Sequence, residues 1–141
     1  MSKVFARVTH SFKAKPEIVF DAWTTGSIVR QWFNPGPGET AGVAIDPRDG
    51  GSFLFVQRRG LDTVEHLGTY QEFVRPNRLV FTWDVKDVGH KSRVIVDIRA
   101  TETGSEVAVA QELAPHWENY LKRTEASWTK MLQAMEKILA Q

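Results

Sequence analysis

The chain has 141 residues, 42% of them hydrophobic, with 18 Lys plus Arg against 17 Asp plus Glu and no cysteine. That length suggests one domain over residues 1–141, and a chain of this size buries roughly 68–70% of the surface it exposes when unfolded. The lack of cysteine excludes disulfides, thiolate zinc sites and cysteine nucleophiles, and the two isolated basic doublets, Arg58-Arg59 and Lys122-Arg123, offer no track for nucleic acid.

A cysteine-free chain is compatible with a reducing cytosol, so a cytoplasmic location is expected. The first ten residues, MSKVFARVTH, contain no apolar signal-peptide core. No segment approaches the run of about 18 apolar residues that a membrane span needs. Neither secretion by that route nor a membrane span is expected.

Val4, Ala6, Val8, His10 and Phe12 alternate with Phe5, Arg7, Thr9 and Ser11, which predicts a strand with its even positions inward. Pro16 opens a short helix to Trp23, with Glu17 suited to its positive end. Ser27 is the expected N-cap of a second short helix through Trp32 and Phe33. Pro35 stops that helix, and Asn34 to Gly38 reads as a loop.

From Val43 onward the pattern is that of strands. A short strand at Val43–Asp46 leads to a turn at Pro47–Gly51, and alternation resumes over Phe53–Gln57. After a turn at Gly60–Asp62, Val64–Arg75 reads as a longer strand in which Gly68, Tyr70 and Glu72 share a face. Pro76-Asn77 turns the chain again. Leu79, Phe81, Trp83 and Val85 alternate with Val80, Thr82 and Asp84, and Asp87–His90 is a turn. Val94, Val96 and Ile98 form the next inward face. After Thr103-Gly104 come Val107, Val109, Gln111 and Leu113. Turns at this spacing predict an antiparallel meander.

Glu118–Gln141 reads as one amphipathic helix. Trp117, Tyr120, Leu121, Thr124, Trp128, Met131, Leu132, Met135, Ile138 and Leu139 recur with a period of about 3.6 residues and form its apolar stripe. A stripe this bulky needs a broad apolar partner. The predicted fold is therefore α+β: a curved antiparallel sheet of about six to seven strands around a long C-terminal helix, with two short helices after the first strand.

Seven motifs in this order carry a family resemblance. They are Phe20-Asp21-Ala22-Trp23, Trp32-Phe33-Asn34-Pro35, Asp46-x-Arg48-x-Gly50-Gly51, Gly68-x-Tyr70-x-Glu72, Arg78 through Trp83, Ala100 through Glu106, and Ser127 through Leu132. Together they resemble the family named for homology to the activator of the ninety-kilodalton heat-shock protein ATPase, within the START-like helix-grip superfamily. The resemblance implies a cavity between sheet and helix. The superfamily includes lipid and hormone carriers, polyketide cyclases and co-chaperone domains, so fold alone does not select an activity. It also implies a monomer or homodimer. The chain departs from common family usage with Trp32-Phe33 in place of two tryptophans, and with His10 and Gln111 where Arg and His are frequent.

In such a cavity the walls would be Phe53, Phe55, Tyr70, Phe81, Trp83, Val96, Ile98, Val109, Trp128, Met131 and Met135, with Trp32 and Phe33 at the mouth. His10, Gln57, Tyr70, Glu72, Gln111 and Tyr120 would be the polar groups available to orient a ligand.

Catalytic signals are sparse. There is no Gly-x-Ser-x-Gly elbow, and His10, His66, His90 and His116 make no close metal-binding pair. Pro35–Gly38 is not followed by the Lys-Ser/Thr of a phosphate loop. Asp46 and Asp49 flank a turn and read as turn formers. A His10–Glu72 or Tyr70–Glu72 acid–base pair is the arrangement an enzyme would need. No catalytic residue, metal or cofactor is assigned. The leading expectation is a non-enzymatic module binding a small hydrophobic or amphipathic molecule. The alternatives are a chaperone-activator-like interaction domain and a cyclase- or hydrolase-like enzyme.

Overall fold

The computed structural model describes residues 4–33, 39–86, 91–114 and 119–140. The expected loop at 34–38, the turn at 87–90, and Pro115, Trp117 and Glu118 at the start of the predicted long helix lie outside the described residues. The elements run β1 (Val4–Phe12), α1 (Pro16–Thr24), α2 (Gly26–Trp32), β2 (Glu39–Ile45), β3 (Ser52–Arg59), β4 (Asp62–Val74), β5 (Arg78–Val85), β6 (Lys91–Thr101), β7 (Gly104–Leu113) and α3 (Leu121–Leu139).

All seven strands form one antiparallel sheet in the order β1-β7-β6-β5-β4-β3-β2. Strands β2 to β7 are a meander, and β1 closes onto β7 with Ala6 opposite Gln111 and His10 opposite Val107. The sheet curves around α3, which packs across β1 and against α1 and α2. Trp128, Met131, Leu132 and Met135 are the buried face of α3, and their steps of three and four place them on one stripe. Lys137 in the last turn complements the negative helix end. Val96, Ile98, Val109, Met131 and Met135 all lie in the core that results.

The two short helices meet at one residue. Thr25 is extended and serves both as C-cap of α1 and N-cap of α2. Its carbonyl accepts from Ile28 N at 3.0 Å and Val29 N at 2.9 Å. Ser27 is thus already inside α2 and is not its cap. The β2 strand also begins earlier than its expected start at Val43. A bulge between Thr40 and Gly42 breaks the alternation that would have marked its first half.

A second bulge overturns the expected placement of Glu72. Register shifts between Tyr70, opposite Phe81, and Glu72, opposite Val80. One extra residue reverses the alternation of side chains. Tyr70 is buried, Glu72 is exposed on the outer face, and its carboxylate accepts from Arg78 Nε at 3.1 Å. Phe73 faces the core instead, edge-on to Phe20 at 5.2 Å and to Tyr70 at 5.4 Å.

Gly68 allows this part of the sheet to close. A Cβ there would run into the Thr82 carbonyl oxygen and lie 2.7 Å from Phe53 Cζ. Only a residue without a side chain lets β5 and the Phe53 ring approach this closely.

Candidate functional site: an aromatic cage between sheet and helix

Alternating positions on β3, β4 and β5 send Phe53, Phe55, Tyr70, Leu79, Phe81 and Trp83 toward the helix side. Phe53 is the hub of this floor, with ring centroids 4.9 Å from Phe55, 5.4 Å from Tyr70, 5.4 Å from Phe81 and 5.9 Å from Trp83. Trp23, Trp32 and Phe33 descend from α1 and α2, and Trp128 from α3. These ten side chains surround a residual void of about 10 Å³, lined by apolar atoms.

Six rings form a closed circuit here; five of them line the void, and His66 packs behind Phe33 and Trp83, whose own centroids are 5.8 Å apart. The centroid steps are Trp23–Trp32 5.1 Å, Trp32–Phe33 6.4 Å, Phe33–His66 5.1 Å, His66–Trp83 5.3 Å, Trp83–Trp128 6.2 Å and Trp128–Trp23 5.5 Å. Trp23 and His66 are three ring contacts apart along either branch.

Hydrogen bonds fix two of the indoles. Trp32 Nε1 donates to the Ala22 carbonyl at 2.8 Å, tying α2 to α1. Trp128 Nε1 donates to Gln111 Oε1 at 2.8 Å, and Gln111 Nε2 donates to Ser92 Oγ at 3.3 Å. Gln111 therefore positions a cage residue without lining the void.

Two members of the circuit are different. Trp23 Nε1 and both ring nitrogens of His66 are buried and have no hydrogen-bond partner among the described residues. Trp23 is 3% exposed and His66 5%. Burial lowers the His66 pKa to about 4, helped by the positive charge of Arg59. The imidazole is neutral at physiological pH. Burial and the nearby negative charge of Asp46 push the Tyr70 phenol pKa up, so it stays protonated.

Of the residues nominated from the sequence, Trp32, Phe33, Phe53, Phe55, Tyr70, Phe81, Trp83 and Trp128 are brought together around the void. Val96, Ile98, Val109, Met131 and Met135 are buried core outside its lining. His10 is far from it: its Nε2 bonds Glu136 Oε1 at 2.7 Å beside Phe12, where β1 meets the end of α3. Gln57 is fully buried and accepts from Arg59 Nε at 3.0 Å. Tyr120 is 41% exposed with the Arg123 guanidinium over its ring, at the solvated start of α3 rather than in the stripe.

Neither acid–base pair forms. Tyr70 and Glu72 lie on opposite faces of the sheet. His10 on β1 is four strands away from β4, about 19 Å at the usual strand spacing.

Trp23, Leu79 and His66 went unnominated. Leu79 shares the inward parity of Phe81 and Trp83, and His66 shares that of Tyr70, so alternation alone could have found both. Trp23 lies three and four residues after Phe20 and Val19 in α1, the spacing of a buried helical face.

A seven-stranded antiparallel sheet curled around a C-terminal helix, with two short helices over an aromatic interior, is an α+β architecture of helix-grip type. The chain belongs to the family described as Activator of Hsp90 ATPase homolog 1-like protein, whose model matches residues 13–140. No curated protein matches it significantly.

Solved structures share the fold at low identity. A Rhodobacter sphaeroides protein is 18% identical, with 96% of this chain and 91% of that one covered and a TM-score of 0.87. A Nitrosomonas europaea protein is 16% identical, with 97% and 94% covered and a TM-score of 0.84. The AHSA1-like protein from Aeromonas hydrophila is 20% identical, with 95% and 90% covered and a TM-score of 0.80. Among the described residues, no helix is long and apolar enough to cross a membrane.

Proposed function

We propose that the protein binds a small, largely apolar molecule between the sheet and α3, inside the aromatic cage. The supporting observation is an apolar void enclosed by ten side chains, nine of them aromatic. Aromatic side chains bury large areas, and their flat faces favour a flat guest.

Ligand pockets typically hold about 300–1,000 Å³, whereas the void here is about 10 Å³. Binding therefore requires rings to swing aside. Trp83 is only partly buried, and Phe33 directly follows the last residue of α2. These two are the rings expected to move. Hydride transfer, metal chemistry or acid–base catalysis forms no part of this reading.

The same small void favours a second reading, a protein-interaction domain like the chaperone activator for which the family is named. In that case the cage is simply core, and the outer surface carries the activity.

Native mass spectrometry of the protein from its own host, followed by fluorescence titration with naphthalene-type probes, separates the two. A co-purifying small molecule, or saturable quenching of the cage tryptophans, is expected. A bare mass with no saturable response across the probe set would sink the binding reading and turn attention to chaperone pull-downs.

A further inference from the structure

We propose that the cage selects an uncharged, flat aromatic ligand with a hydrogen-bonding group at each end, an acceptor meeting the Trp23 indole N–H and a donor or acceptor meeting the His66 imidazole. This rests on the cage-binding reading and adds the chemical class of the guest.

The inference starts from hydrogen-bond bookkeeping. Trp32 and Trp128, also in the circuit, have their N–H groups bonded to protein acceptors, and Gln111, the partner of Trp128, is itself bonded to Ser92. Only at Trp23 and His66 does the circuit bury polar atoms without a partner among the described residues. Such atoms are rare in native proteins, and each lowers stability. One further such atom, Asp84 Oδ1, lies outside the circuit. Trp23 lines the void, and His66 packs directly behind Phe33 and Trp83, the two rings expected to move, so their displacement brings it against the guest.

Their chemistry is specific. An indole N–H can only donate, so that end of the guest must present a carbonyl, ether or hydroxyl oxygen. A neutral imidazole both donates and accepts, so the other end is free to be a hydroxyl, amide or carbonyl. His66 remains neutral down to about pH 4, so it offers no charge to a carboxylate. Among the described residues, no ionised side chain lines the void, and the nearby Arg59 is exposed and bonded to Gln57. A charged guest would be desolvated without compensation.

The test uses four probes of one shape: naphthalene, 2-naphthol, 6-acetyl-2-naphthol and 6-hydroxy-2-naphthoate. Each is titrated against wild type, Trp23→Phe and His66→Phe by calorimetry or fluorescence. The expected order is 6-acetyl-2-naphthol tightest, at least tenfold over naphthalene, with the naphthoate weakest. Each substitution should reduce that ratio about tenfold while leaving naphthalene within a few-fold. The ratio within one variant cancels general changes in cage volume.

If Trp23→Phe fails to fold, His66→Phe and the wild-type order decide. Equal binding of naphthalene and 6-acetyl-2-naphthol, a ratio unchanged in both variants, or preference for the naphthoate overturns the inference while leaving cage binding intact. No binding of any probe overturns both.

Discussion

Trp128 Nε1 and Gln111 Oε1 lie 2.8 Å apart, joining the buried face of α3 to β7. Gln111 passes the connection to Ser92, whose hydroxyl donates to the Trp83 carbonyl at 3.3 Å. One polar node thus sets the helix against three strands and holds one indole of the circuit, that of Trp128. It also explains a buried glutamine on an otherwise apolar face of β7.

Gln111→Leu should leave the Trp128 N–H buried and unpaired, lowering stability by about 1–3 kcal/mol. Trp128→Phe removes the same bond from the other side and adds lost packing. The double variant should be more stable than the sum of the two losses predicts, because the orphaned donor disappears with the indole. Urea denaturation of all four proteins gives the coupling. Strict additivity would show that the bond contributes nothing.

His66 makes stability acid-sensitive. Its pKa falls from 6.5 to about 4 on folding, through burial first and Arg59 second. Between those values the unfolded chain binds the proton and the folded one does not. The contribution is fully present above pH 6.5 and is lost as pH falls through 4, and the gap corresponds to roughly 3 kcal/mol. His66→Phe removes the titration and an unpaired polar ring together. Denaturation midpoints at pH 7, 5.5 and 4 should fall less steeply for this variant than for wild type. Parallel falls would place the acid sensitivity elsewhere.

Much of this architecture was readable because it rests on periodicity. The α3 stripe from Trp128 to Met135 and the alternation of Leu79, Phe81 and Trp83 follow from burial on one face. The strands follow for the same reason, whereas the two short helices were legible from Pro16 at the start of one and Pro35 after the other. Eight of the cage residues came from the same faces. The polar residues were harder to place. His10, Glu72, Gln111 and Tyr120 were each assigned by strand parity or helix period, but their positions are set by a partner or a local irregularity. His10 is drawn to Glu136, and Gln111 to Trp128 and Ser92. A bulge moves Glu72, and no single-sequence pattern announces a bulge here. Whether the interior is hollow was equally illegible, since ring rotamers set the volume that remains.

The bulge between Tyr70 and Glu72 makes opposite demands on adjacent residues. Glu72→Ala should change stability by no more than about 0.5 kcal/mol, because an exposed ion pair contributes little and Arg78 keeps Asp97, at 2.8 Å. Phe73→Ala should lower it by about 2–3 kcal/mol, less than a fully buried phenylalanine, through lost contacts with Phe20 and Tyr70. An unbroken strand would give the reverse ranking, with residue 72 inward and residue 73 in solvent. Chemical denaturation of the two variants side by side distinguishes these cases. A larger loss at residue 72 than at 73 would remove the bulge, and with it the placement of Phe73 beneath α1.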